Sequence, residues 1–206
     1  KWIAFVKDYN LFIKSTLSKR SFQLSTAGKK GYEYASYYGW DDIMEGENGE
    51  RPQHFYVDWS PDSKYIATSI VDYRNAEKMY LLNWSIDSLY KPKLLSYYRG
   101  SPGDTSMVHV VPVFFDVSTK KEIKTKLPRG THINSVSTQW TDKPGVLLAN
   151  YPERGYKKHF LKQLNPVSYT HLRAHETLMN LVCRLLLEKI QFTVYSAQCT
   201  GYSVLF

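Results

Sequence analysis

An all-β protein, made of small antiparallel sheets that repeat along the chain, is the fold class this sequence predicts. Three observations carry it. Aromatic residues make up 15% of the 206, and 17 are tyrosines, a bias that suits pleated surfaces better than helices. Phe55, Val57 and Trp59 alternate with Tyr56, Asp58 and Ser60, the period of a strand with one buried face. A short pattern also recurs: Ile3-Ala4-Phe5, Ile66-Ala67-Thr68 and Leu148-Ala149-Asn150 hold equivalent places. Each is followed by an expected partner strand, Leu11–Lys14, Met79–Leu82 and His159–Lys162, and Trp59 and Trp140 precede equivalent turns. Sheet units of about 40–50 residues mark a β-propeller, here a partial one of about three antiparallel blades.

In chain order, Ile3–Val6 and Leu11–Lys14 form a hairpin around Lys7–Asn10, and Phe22–Leu24 adds an outer strand. Ala27-Gly28-Lys29-Lys30-Gly31 is a loop; it lacks the GxxxxGK[ST] spacing of a phosphate cradle. Residues 32–54 form a long aromatic and acidic segment, too polar for a core strand, and a loop of that length is often functional. Ser60-Pro61-Asp62-Ser63 turns the chain between two strands, with proline presetting φ and Asp62 and Ser63 able to bond nearby backbone. Residues 85–107 form a second insertion. Val108–Val117 is a continuous apolar strand containing Pro112, which predicts an edge or a bulge. Lys120–Glu122 turns back into Ile123–Leu127. Val136–Trp140, a turn through Gly145, Val146–Asn150 and His159–Lys162 then repeat the unit.

The net charge is +8, but the lysines are scattered, with no basic stripe interleaved with stacking aromatics, so nucleic acid is not a predicted partner. No apolar run reaches the length of a membrane-spanning helix. No metal or cofactor motif stands out. The chain opens inside an expected strand, which reads as a fragment.

From residue 166 the texture changes. His171–Gln191, taken alone, has helical apolar spacing. Val167–Thr177 and Leu181–Leu187, however, resemble the in-frame translation of a sequencing adapter, with an index of the right length between them. Residues 166–206 are therefore expected to be a non-native tail that can take helical form, following a domain of residues 1–165. On this reading Cys183 and Cys199 say nothing about disulfides. His171, His175 and Glu176 lack metalloprotease order. Gly201-Tyr202-Ser203 lacks the closing glycine of a nucleophile elbow, since Leu205 stands there. Resequencing the coding DNA checks the tail: adapter bases are expected, and a clean frame through codon 206 contradicts them.

WSPDSKYIAT, followed by D-x-R…MYLLN, KPKLLSYYRGSPGD and VPVFFDVSTKKEI, resembles the N-terminal propeller of dipeptidyl peptidase IV-like serine peptidases, within the prolyl oligopeptidase family. The resemblance runs from about Trp2 to Asn165. It implies part of an eight-bladed propeller capping an α/β-hydrolase domain that supplies a Ser-Asp-His triad. No G-x-S-x-G occurs here, so no catalytic residue is assigned and the fragment alone is expected to be inactive.

In that family a D-W-x-x-E-E segment of the propeller binds the free α-ammonium of a peptide substrate. Trp40–Glu47 is the matching stretch: Asp41 and Glu45 match, Gly46 replaces the second glutamate, and Glu47 matches a further acid of some members. The resemblance also implies a homodimeric parent that is periplasmic, secreted or membrane-anchored. The rival reading is a non-catalytic propeller that serves as a scaffold or protein-binding module.

Overall fold

The computed structural model describes residues 1–39, 51, 54–84, 92–98, 100–101 and 103–165, and the backbone of 170–176. Every named element among them is a strand. Blade one is the meander β1 (Trp2–Lys7), β2 (Asn10–Ser15) and β3 (Ser21–Gln23). Asp8 and Tyr9, both at positive φ, link β1 to β2 with Lys7 opposite Asn10, the two-residue connection that matches strand twist. The glycine-containing loop after β3 packs on this hairpin. Gly28 donates its N–H to Asn10 Oδ1 at 2.8 Å. A Cβ at Gly28 would lie 2.2 Å from the Tyr9 carbonyl oxygen, so close backbone approach explains that glycine.

Blade two combines β4 (Tyr32–Tyr34), β5 (Asp58–Trp59), β6 (Tyr65–Asp72), β9 (His109–Asp116), β10 (Lys121–Ile123) and β11 (Gly130–Thr131). β7 (Met79–Asn83) and β8 (Lys93–Tyr97) form a separate hairpin between β6 and β9. Blade three runs β12 (Ser137–Trp140), β13 (Leu147–Pro152), β14 (His159–Asn165) and β15 (Thr170–Glu176) in order.

β6 shows why the sheets stack as propeller blades. Ile66 and Ile70 enter one core with Leu11, Ile13 and Leu24 of blade one. Ala67, on the other face, enters a second core with Leu147, Ala149 and Leu164 of blade three. In β9, Phe115 joins the first core and Phe114 the second. A strand buried on both faces needs such a continuous apolar run. Each buried phenylalanine contributes about 1.5–3 kcal/mol of transfer free energy.

Several expectations change. The strand after β9 is Lys121–Ile123 rather than Ile123–Leu127, so Lys121 and Glu122 lie in the ladder and not in the turn. β6 pairs with β9, not with Met79–Leu82; every residue of β7 is exposed, so it could not fill the double-sided core. Pro112 lies within the sheet rather than at its edge, opposite Ser69 of β6. On the outer side of β9, β10 covers Phe114–Asp116 and β11 covers His109–Val110. Pro112 falls in the gap between them, where no ladder donor is needed. The start of the polar 32–54 segment is a buried strand, with Glu33 only 3% exposed. Finally, Thr170–Glu176, which runs into the stretch with helical spacing, is a strand on the edge of β14, from Asn165↔Thr170 to His159↔Glu176. An open edge presents unpaired N–H and C=O groups that any extended segment can satisfy.

The predicted turn between β5 and β6 is present. Ser60 Oγ accepts from Tyr65 N–H at 2.9 Å and donates to Asp62 at 2.7 Å. Ser63 is at positive φ. That hydroxyl is the main reason the Asp62 carboxyl is held below its usual range. The strand before the turn is shorter than the alternation suggested: only Asp58–Trp59 pairs, and Phe55 and Tyr56 are exposed. Among the described residues no helix is long and apolar enough to cross a membrane.

Candidate functional site at an interrupted inner strand

β4 and β5 both pair antiparallel with the same edge of β6. β4 lies opposite Ile70–Asp72 and β5 opposite Ile66–Ala67. Together they form one inner strand, interrupted between Tyr34 and Asp58. The acidic stretch Trp40–Glu47 falls in that interruption. Trp140 Nε1 donates to the Asp58 carbonyl at 3.3 Å, so the inner edges of blades two and three meet here. In a propeller these innermost strands surround the central channel.

The two ends of the insertion are fastened together at its root. Tyr56 N–H donates to the Ala35 carbonyl at 2.9 Å. Thr68 Oγ1 donates to the Tyr56 carbonyl, and Ser69 Oγ to the Ser36 carbonyl, each at 2.5 Å. The Tyr37 and His54 rings stack at 4.3 Å. Arg51, on the returning end, ion-pairs with Glu33 and also donates to the Tyr37 carbonyl. Both charged side chains are almost fully buried. Tyr73 OH donates to the second Glu33 oxygen at 2.9 Å. The Arg51 guanidinium lies 5.7 Å from the Tyr38 ring centre and 5.8 Å from that of Tyr73, within cation–π range.

These contacts explain how a glutamate enters an inner strand. A buried carboxylate is tolerated only when paired and hydrogen-bonded. The Tyr73 hydroxyl is pushed well above the usual phenol range, first by burial and then by the Glu33 charge. It therefore remains a hydrogen-bond donor. Burial also raises the Asp58 carboxyl.

Beside the root, between blades two and three, lies a cavity of about 200 Å³. Tyr37, Tyr38 and Tyr56 line it from the insertion ends, Thr68 and Ser69 from β6, and His132, Ser137 and Thr138 from the next blade's side. Hydroxyl and imidazole groups of this kind offer hydrogen bonds suited to a peptide backbone. Among the described residues, no group of three or more His, Cys, Asp or Glu could hold a metal ion.

Asp41, Glu45 and Glu47 themselves lie outside the described residues. What is visible is the seat of their segment. The sequence reading missed Glu33, Arg51 and Tyr73, although Glu33 between two tyrosines already carried a strand-like alternation.

A family model for the dipeptidyl peptidase IV N-terminal region matches residues 1–178. The chain belongs to that family. The match continues past Asn165 into the adapter-like segment. Among solved structures, dipeptidyl peptidase 4 from Porphyromonas gingivalis is similar, with a TM-score of 0.61 at 20% identity; the alignment covers 85% of this chain and 24% of that one. A structure described as a putative dipeptidyl aminopeptidase IV from Bacteroides ovatus aligns with a TM-score of 0.56 at 14% identity, covering 83% of this chain and 22% of that chain. The chain thus spans about a quarter of the length of these relatives, and at such identities the likeness establishes the fold. No curated protein sequence matches. Family and fold agree on a partial propeller of the dipeptidyl peptidase IV N-terminal type.

Proposed function

We propose that this chain is the propeller part of a dipeptidyl peptidase IV-like serine exopeptidase. In this role it admits peptides and binds their free N-termini for an α/β-hydrolase domain. The observation that supports this reading is the interrupted inner strand: its two halves lie at the edge where the blades meet, and the acidic segment is the sequence between them. Glu45 is the leading ligand for the α-ammonium, with Glu47 and Asp41 adding negative charge. A carboxylate accepts hydrogen bonds from –NH₃⁺ and attracts its charge. With Gly46 in the second glutamate position, restriction to dipeptide release is looser than in a paired-glutamate site.

The test is Glu45→Gln in the hydrolase-bearing protein. KM for peptides with a free N-terminus rises about tenfold or more, while KM for N-acetylated peptides stays unchanged. An unchanged KM for both refutes the assignment. A G-W-S-x-G-G elbow downstream in the gene separates the peptidase from a non-catalytic scaffold.

We further propose that the parent pairs as a homodimer through the β7–β8 hairpin, where Tyr80, Leu81, Trp84 and Leu94 are all more than half exposed. Apolar surface of that kind marks an interaction site. Leu81→Glu should convert the dimer to monomer in light scattering, and an unchanged mass contradicts the pairing.

A further inference from the structure

A second, larger cavity of about 390 Å³ opens between blades two and three. Lys126, Arg129, Arg154 and Lys162 line it, against a single carboxylate, Glu153, among the described residues. Its wall is apolar: the Tyr151 and Phe160 rings stack there at 5.1 Å. The size falls within the range of small-molecule sites.

The cationic groups are held in place. Arg129 donates to Asp72 at 3.1 Å, and that carboxylate also takes two bonds from Arg74, at 2.8 Å each. One aspartate shared by two guanidiniums leaves positive charge uncancelled. Arg154 is fixed by a hydrogen bond to the Asp104 carbonyl. Lys162 Nζ sits 5.4 Å from the Tyr151 ring centre, a cation–π arrangement that keeps the ammonium over the aromatic wall. Guanidinium groups match the oxygens of carboxylate and phosphate, and flat apolar walls favour a ring.

We propose that this inter-blade cavity binds an oxyanion, carboxylate or phosphate, carried on a small aromatic or apolar body. The site shares only Val136 with the cavity at the insertion root, so it stands apart from recognition of a peptide N-terminus.

Titration calorimetry on the whole chain tests it with phenyl phosphate, benzoate, inorganic phosphate and phenol. At least one aromatic anion is expected to saturate at one per chain. Inorganic phosphate should bind at least about tenfold more weakly and phenol not measurably. Which of benzoate and phenyl phosphate binds more tightly tells carboxylate from phosphate. Arg154→Gln and Lys126→Gln alter exposed side chains and should leave the melting temperature unchanged. Each should weaken binding about fivefold, and added salt should weaken it further. No saturable binding of either aromatic anion, equal binding of phenol, or unchanged affinity in both variants overturns the proposal.

Discussion

The inner strands of blades two and three are built on one plan and differ in one respect. In blade three, β12 runs unbroken, from Ser137 opposite Asn150 to Trp140 opposite Leu147. In blade two the same strand is split into β4 and β5. Both end in a tryptophan followed by a closely similar turn: Ser60 N–H reaches the Tyr65 carbonyl at 2.9 Å, and Thr141 N–H reaches the Val146 carbonyl at 3.0 Å. The blade therefore does not need the interruption in order to form. The interruption carries its own buried polar network, Glu33, Arg51 and Tyr73. Packing maintains the scaffold, while the described root of the insertion is held largely by an ion pair and hydrogen bonds.

The sharpest way to break this contrast is Arg51→Met. It leaves Glu33 charged and buried, which should lower unfolding stability by about 3–5 kcal/mol in urea. Glu33→Met combined with Arg51→Met should recover much of the loss, because the uncompensated charge goes too. At the matching edge of blade three, Thr138→Val should change stability by less than about 1 kcal/mol.

Packing is tested by Leu147→Ala, at a fully buried position. A loss of about 2–5 kcal/mol is expected from lost contacts and a residual cavity.

Next in size is Asp72→Asn. Hydrogen bonds from Arg74, with the nearby charge of Arg129, hold the Asp72 carboxyl below its usual range despite burial. A folded-state value below the unfolded one adds stability above the unfolded pKa, near 4. That stability is lost as pH falls through the folded value. Asp72→Asn should thus cost about 1–2 kcal/mol at neutral pH, discounted for the partly exposed arginines. Variant and parent should converge as acid protonates the carboxyl. A gap that is constant with pH contradicts the assignment.

A smaller loss is expected at the shared turn. Ser60→Ala should cost about 1 kcal/mol through loss of the acceptor for Tyr65 N–H. Thr141→Ala should cost about the same or less, since its hydroxyl bonds the Val146 carbonyl at the same point.

The blade repeat was legible because Ile-Ala strands and Trp turns are local patterns. Ile66 and Ala67 facing different cores follows from strand alternation once both neighbours are blades. The β6–β9 pairing was not legible. A hairpin of its own separates these strands, and Met79–Leu82 looks as strand-like as β9 until burial is known. The root of the insertion was hidden for a related reason. Glu33 reads as loop-forming because its partners, Arg51 and Tyr73, are distant in sequence. The acidic stretch itself was recognised through resemblance rather than periodicity, and the structure supplies only its seat.

The most direct test of the division between scaffold and site removes the insertion's interior. Residues 40–50 are replaced by a short glycine-serine linker, keeping Arg51 and the Glu33 pair, in the hydrolase-bearing protein. The melting temperature should stay within about 2–4 °C of the parent. The preference for a free over an N-acetylated peptide N-terminus should disappear. Retained preference, with the fold intact, would contradict the account.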